Sequence, residues 1–147
     1  MKKVFGYVFF VLCTIVFLIG TQLTVLFNTS DSLPYSAFIQ FLGKQISPDF
    51  GRFVTTNHRL SKIPVAKQVK GVEGDRIVIK NNSIYILHKI GKIREKNSKG
   101  ESLSPIKSGV IPRGYVFLAG SNNKSLDSRY DSFGLVKKDQ CRGIYAW

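Results

Sequence analysis

Arg76-Ile77-Val78-Ile79-Lys80-Asn81-Asn82-Ser83-Ile84-Tyr85-Ile86-Leu87 decides the fold class. Two short runs of β-branched and aromatic residues flank an Asn-Asn pair, the pattern of two antiparallel strands joined by a tight turn. Similar runs occur on either side. Phe53-Val54-Thr55, Val65 to Lys70, Tyr115 to Ala119, Leu135-Val136 and Gly143 to Trp147 read as strands, and Gly, Asn and Pro punctuate them. Ser36 to Gly43 fits either one short helix or a strand. Lys89 to Gly109 is polar and reads as a surface loop or an extended hairpin tip. The expected fold is mainly β: an antiparallel, partly closed β-sheet domain.

Ahead of this domain, Val4 to Phe27 contains no charged side chain. As a helix it would extend about 36 Å, against roughly 30 Å of bilayer hydrocarbon. A cleaved export signal would have a shorter apolar stretch and a small-x-small cleavage site. Here Asn28-Thr29-Ser30-Asp31 follows instead. Residues 1–27 are therefore expected to form a cytoplasmic start and one N-terminal transmembrane helix, and residues 28–147 an extracytoplasmic domain. Lys2 and Lys3 precede the run and Asp31 is the first charge after it, which places Met1 in the cytoplasm.

The chain carries 22 Lys and Arg against 9 Asp and Glu, a net charge of +13. For a membrane-tethered domain this favours contact with anionic lipid. The basic residues are scattered and accompany no nucleic-acid fold signature, so nucleic acid is not an expected partner. Cys13 and Cys141 lie in different parts of the chain and form no disulfide framework; Cys141 reads as an ordinary strand residue. His58 and His88 are the only histidines, and no ligand cluster surrounds them. The pattern points to no metal and no cofactor. His58, in Thr-Asn-His-Arg, is expected to be solvated.

Lys67 is the unusual residue. Side chains alternate along Val65-Ala66-Lys67-Gln68-Val69-Lys70, so Lys67 shares a face with Val65 and Val69. Two readings are open: a lysine snorkelling to solvent from an edge strand, or a desolvated amine with a lowered pKa, able to take a proton. Asn28-Thr29-Ser30-Asp31-Ser32-Leu33-Pro34 is hydroxyl-rich, and Pro34 holds Leu33 extended.

Three separated segments together resemble the boxes of the signal peptidase I family, the Ser/Lys-dyad membrane peptidases. Ser32-Leu33-Pro34 resembles the nucleophile box. Lys67 to Asp75 resembles the lysine box. Gly120-Ser121-Asn122, Ser125 to Tyr130 and Gly134-Leu135-Val136 resemble the last box. The resemblance implies a largely β fold of signal-peptidase type, with Ser32 as nucleophile and Lys67 as general base. It further implies Ser30 and the Ser32 backbone N–H as the oxyanion hole, Ser125 as the residue orienting the lysine, and Asp127 with Arg129 as a supporting ion pair. Leu33, Gln68, Glu73 and Ser121 stand where the family commonly has Met, Arg, Pro and Asp. These departures argue against a housekeeping leader peptidase, and the compact size and the Asn-x-Ser-x-Ser-x-Pro form look more like the conjugative-transfer TraF-type branch. The implied function is a membrane-anchored serine endopeptidase that removes signal or leader segments from exported precursors, pilin among them, at the outer face of a bacterial inner membrane. The alternative is a non-enzymatic single-span assembly protein of a secretion or conjugation apparatus.

Overall fold

The Asn81-Asn82 turn forms as expected. In the computed structural model, which describes residues 11–14, 17, 22–28, 32–42 and 46–146, φ is 49° at Asn81 and 52° at Asn82. A two-residue type I′ connection needs positive φ at both positions, and Asn tolerates it. The turn joins β5 (Arg76–Lys80) to β6 (Ser83–Ile86), in register from Val78↔Tyr85 to Lys80↔Ser83.

The other strands are β1 (Leu23–Phe27), β2 (Ala37–Phe41), β3 (Phe53–Thr56), β4 (Val65–Gly71), β7 (His88–Lys92), β8 (Gly109–Val110), β9 (Tyr115–Ala119), β10 (Val136–Lys137) and β11 (Cys141–Ala146). They make two antiparallel sheets. One has seven strands in the order β1-β2-β11-β3-β4-β9-β10, the other four in the order β7-β6-β5-β8. Among the described residues neither sheet closes into a barrel: β1 and β10, at the two ends of the larger sheet, do not pair with each other.

β9 divides the core. Its alternating side chains enter two clusters: Val116 and Leu118 pack with Val54, Val69, Phe133 and Val136, while Phe117 and Ala119 pack with Ile77, Ile84, Ile86 and Ile111. A strand buried on both faces needs apolar residues at every position, and Val116 to Ala119 supplies them.

Two expectations are corrected here and one open choice is resolved. The last five residues of the apolar run expected to be helical, Leu23–Phe27, form β1, paired with β2 from Leu23↔Phe41 to Phe27↔Ala37. Alternation and cross-strand partners outweigh uniform hydropathy there. Residues 11–14 and 17 are helical, the rest of the run lies outside the described residues, and no helix among those described is long and apolar enough to cross a membrane. Of the two readings open for Ser36 to Gly43, the strand holds: Ala37–Phe41 forms β2, with its alternate residues Phe38 and Gln40 facing inward. Lys89 to Gly109 is more than a loop. It completes β7, bridges Lys96 to Ser102 and begins β8, and it buries Ile93 and Ile106.

Candidate active site

Lys67 lies in β4, between β3 and β9 in the middle of the seven-stranded sheet. An edge position is thereby excluded, and with it the snorkelling reading. Lys67 is 4% exposed and sits opposite Val54. Burial lowers the pKa of its amine; Arg129 adds to the lowering, and the Asp127 carboxylate opposes it. Nζ donates a hydrogen bond to Ser125 Oγ at 2.7 Å.

Ser125 is held in turn. Asn122 Oδ1 accepts its backbone N–H at 2.9 Å, and its carbonyl accepts from Arg129 Nη2 at 3.2 Å. Asp127 and Arg129, both essentially fully buried, form the expected ion pair in bidentate form. Nε reaches Oδ1 and Nη2 reaches Oδ2, each at 2.8 Å. Burial works against the Arg129 charge, but the hydrogen-bonded carboxylate more than offsets it and keeps the guanidinium charged. Asp127 Oδ2 also accepts the Gly120 N–H at 2.9 Å.

Gly120 connects this network to Ser32. A Cβ at position 120 would run into Ser125 Oγ, come within 2.7 Å of Ser125 Cβ and within 2.8 Å of the Ser32 carbonyl oxygen. Only glycine fits where Ser32 and Ser125 approach so closely. The Ser32 carbonyl accepts two hydrogen bonds from Ser121, from N–H at 2.7 Å and from Oγ at 3.1 Å.

Ser32 and Lys67 line one groove with Thr55, Leu126 and Phe133. The cavity is about 470 Å³, with Phe27, Leu60 and Ile63 as exposed apolar residues along it. Among the described lining residues Lys67 and His58 are the ionisable ones, and no carboxylate is present. His58 is not simply solvated. Its ring stacks on Phe133 at 4.0 Å and 7°; Nε2 lies 3.0 Å from the Phe133 carbonyl oxygen and Nδ1 accepts the Leu60 N–H at 3.3 Å. A neutral ring with its proton on Nε2 satisfies both contacts. Ser30 lies outside the described residues.

The departures from the family pattern have local partners. Gln68 Nε2 donates to the Gly51 carbonyl at 2.8 Å. Glu73 accepts the Gly114 N–H at 3.0 Å and pairs with Lys138 at 3.3 Å. Leu33 is buried beside Phe38 and Ile144. Among the described residues no cluster of His, Cys, Asp and Glu could hold a metal ion.

The chain belongs to the signal peptidase family, peptidase S26, which matches over residues 1–147. It is similar to the conjugal transfer protein TraF of Agrobacterium fabrum, with 32% identity over 83 residues, 55% of this chain and 46% of that protein. The matched part is thus less than half the length of that relative, and the likeness agrees with the TraF-type branch expected from the boxes. The chain is also similar to a signal peptidase I of known crystal structure from Enterococcus faecalis V583, with 21% identity, a TM-score of 0.46, and coverage of 70% of this chain and 100% of that one.

Proposed function

We propose that this protein is a serine endopeptidase in which Ser32 is the nucleophile and Lys67 the general base. The observation that carries the reading is the Lys67 amine. It is desolvated, hydrogen-bonded to Ser125 and set in the same groove as Ser32. Lysine in this state can be neutral at the pH of the cell exterior. It takes the Ser32 proton as Oγ attacks the scissile carbonyl, then delivers that proton to the leaving amine. Water releases the acyl group from Ser32 with Lys67 again as base. Ser125 aims the amine, and the Asp127–Arg129 pair holds Ser125. The Ser32 backbone N–H and the Ser30 hydroxyl are the proposed oxyanion donors.

Among the described residues the groove lining holds no carboxylate and is mostly apolar, which suits an uncharged extended segment; the family resemblance implies small residues at the cut and two positions before it. Exported precursors with signal or leader segments, pilin included, are the proposed substrates. The proposed location is the outer face of a bacterial inner membrane, with the run ahead of β1 as anchor. Leu23, Val25 and Phe27 of β1, with Phe41 and Tyr145, present an exposed apolar face that follows directly on that run. Such a face suits contact with lipid.

The test is cleavage of a precursor peptide by the full chain in detergent, compared with Ser32→Ala and Lys67→Met. Both variants should lose cleavage while remaining folded. Cleavage at the wild-type rate by either one sinks the mechanism.

A further inference from the structure

We propose that Asn28 and Ser121 are positioning residues that clamp the nucleophile turn from two sides, an inference that rests on reading Ser32 as the nucleophile. Ser32 lies in the connection between β1 and β2, not within a strand. A nucleophile on a connection must be held by something other than a sheet ladder. Asn28 closes that connection: its backbone N–H donates to the Ser36 carbonyl at 2.9 Å. Its side-chain amide then reaches across the turn. Nδ2 donates to the Leu33 carbonyl at 3.1 Å and to the Tyr35 carbonyl at 2.8 Å, one on each side of Pro34. Both partners are carbonyl oxygens, so the nitrogen of the carboxamide must face them. Pro34 has no N–H to offer the turn, and Asn28 supplies the missing donors.

Ser121 grips the other side, with its N–H and its hydroxyl both on the Ser32 carbonyl. The carbonyls of residues 32, 33 and 35 are therefore all held, the first by Ser121 from a distant segment and the other two by Asn28 at the base of the connection. The Ser32 peptide plane is fixed by Ser121, whose neighbour Gly120 is bonded to Asp127. The turn and the segment that orients Lys67 thus share one frame. Asn28→Asp keeps the shape but turns an acceptor toward two carbonyl oxygens, and the turn must open.

The test is steady-state cleavage by the full chain of a reporter peptide with alanine at the residue before the cut and two positions earlier. Asn28→Asp should lower kcat about 10²-fold, the scale of a nucleophile displaced by an ångström, with KM within about threefold. The acid limb of the pH–rate profile should stay in place in Ser121→Ala, which adds no charge to the groove and leaves Lys67 and Ser125 untouched. Ser121→Ala keeps the backbone donor and should lose about tenfold in kcat, and Ser121→Thr should restore it. If Asn28→Asp does not fold, Ser121→Ala and its Thr rescue decide. With Ser32→Ala inactive, kcat within about threefold of wild type in the folded variants overturns the clamp, as does a loss confined to KM. Wild-type cleavage by Ser32→Ala overturns both the nucleophile and the clamp.

Discussion

Asp127→Asn separates two jobs of one carboxylate. Asp127 accepts both prongs of the Arg129 guanidinium, the Arg129 N–H and the Gly120 N–H. Asparagine has the same shape but one acceptor oxygen, so its NH₂ must face a donor. Removing one partner of a buried ion pair costs about 3–5 kcal/mol, because the remaining charge stays desolvated. Arg129 keeps carbonyl contacts with Asn122, Ser125 and Lys92, which favours the lower end, about 3 kcal/mol. With a urea m-value of about 1.5–2 kcal/mol/M for a domain of this size, the unfolding midpoint should fall by about 1.5–2 M. The second effect is electrostatic. Asp127 raises the pKa of Lys67 and Arg129 lowers it. Asparagine removes the raising influence and leaves the other, so the Lys67 amine stays neutral to lower pH. The acid limb of cleavage should move down in pH, while the maximal rate falls as Ser125 loosens. Urea titration followed by Trp and Tyr fluorescence, with cleavage measured across pH on the folded fraction, reads both effects. A midpoint within about 0.3 M of wild type would refute the structural role. An acid limb that moves up would refute the electrostatic one.

Other outcomes follow from the same geometry. Lys67→Met should abolish cleavage and raise the melting temperature, because an ammonium no longer has to be desolvated. The sign is fixed by linkage: with the native pKa lowered, the unfolded chain binds more protons between that pKa and 10.5, so wild-type stability rises with pH across this window. The stability gap between variant and wild type should therefore narrow as pH rises, which calorimetry at several pH values will measure. Gly120→Ala drives a methyl against Ser125 and the Ser32 carbonyl; it should cost about 1–3 kcal/mol in a denaturant titration and separate the two serines, reducing cleavage about 10²-fold. The Cys141 thiol is buried, and burial followed by the Asp139 charge pushes its pKa up to about 11. In a Cys13→Ser background, maleimide labelling at pH 8 should be slow in native buffer and fast in urea.

What the sequence made legible was local. The Asn81-Asn82 hairpin announces itself because the turn chemistry and the flanking β-branched residues agree. Lys67 stands out because strand alternation alone puts it among valines, although alternation does not tell a central strand from an edge. That distinction came from β3 and β9, which pair with β4 from distant parts of the chain. The Leu23–Phe27 strand was hidden inside a longer apolar run, where hydropathy without partners favours a helix. His58 looked solvated because Phe133, on which it stacks, is 75 residues away. The hold of Ser121 on Ser32 spans 89 residues, and no local pattern signals it. Ser125, Asp127 and Arg129 carry no physical signal of their own in the sequence; the family resemblance singled them out, and their mutual hydrogen bonds are visible only in the fold.

The strand order of the larger sheet has a consequence for biosynthesis. β11 is synthesised after every other described strand, yet it lies between β2 and β3. Until Cys141–Ala146 inserts, the β1–β2 hairpin with its Ser32 connection has no sheet contact with the β3–β4 pair that carries Lys67. Before that insertion, the contacts of Ser121 with the Ser32 carbonyl are what link the Ser32 connection to the segment that orients Lys67. The sheet ladder that unites the two halves thus waits for a strand more than eighty residues beyond the first of them, and the proposed dyad is completed late in folding.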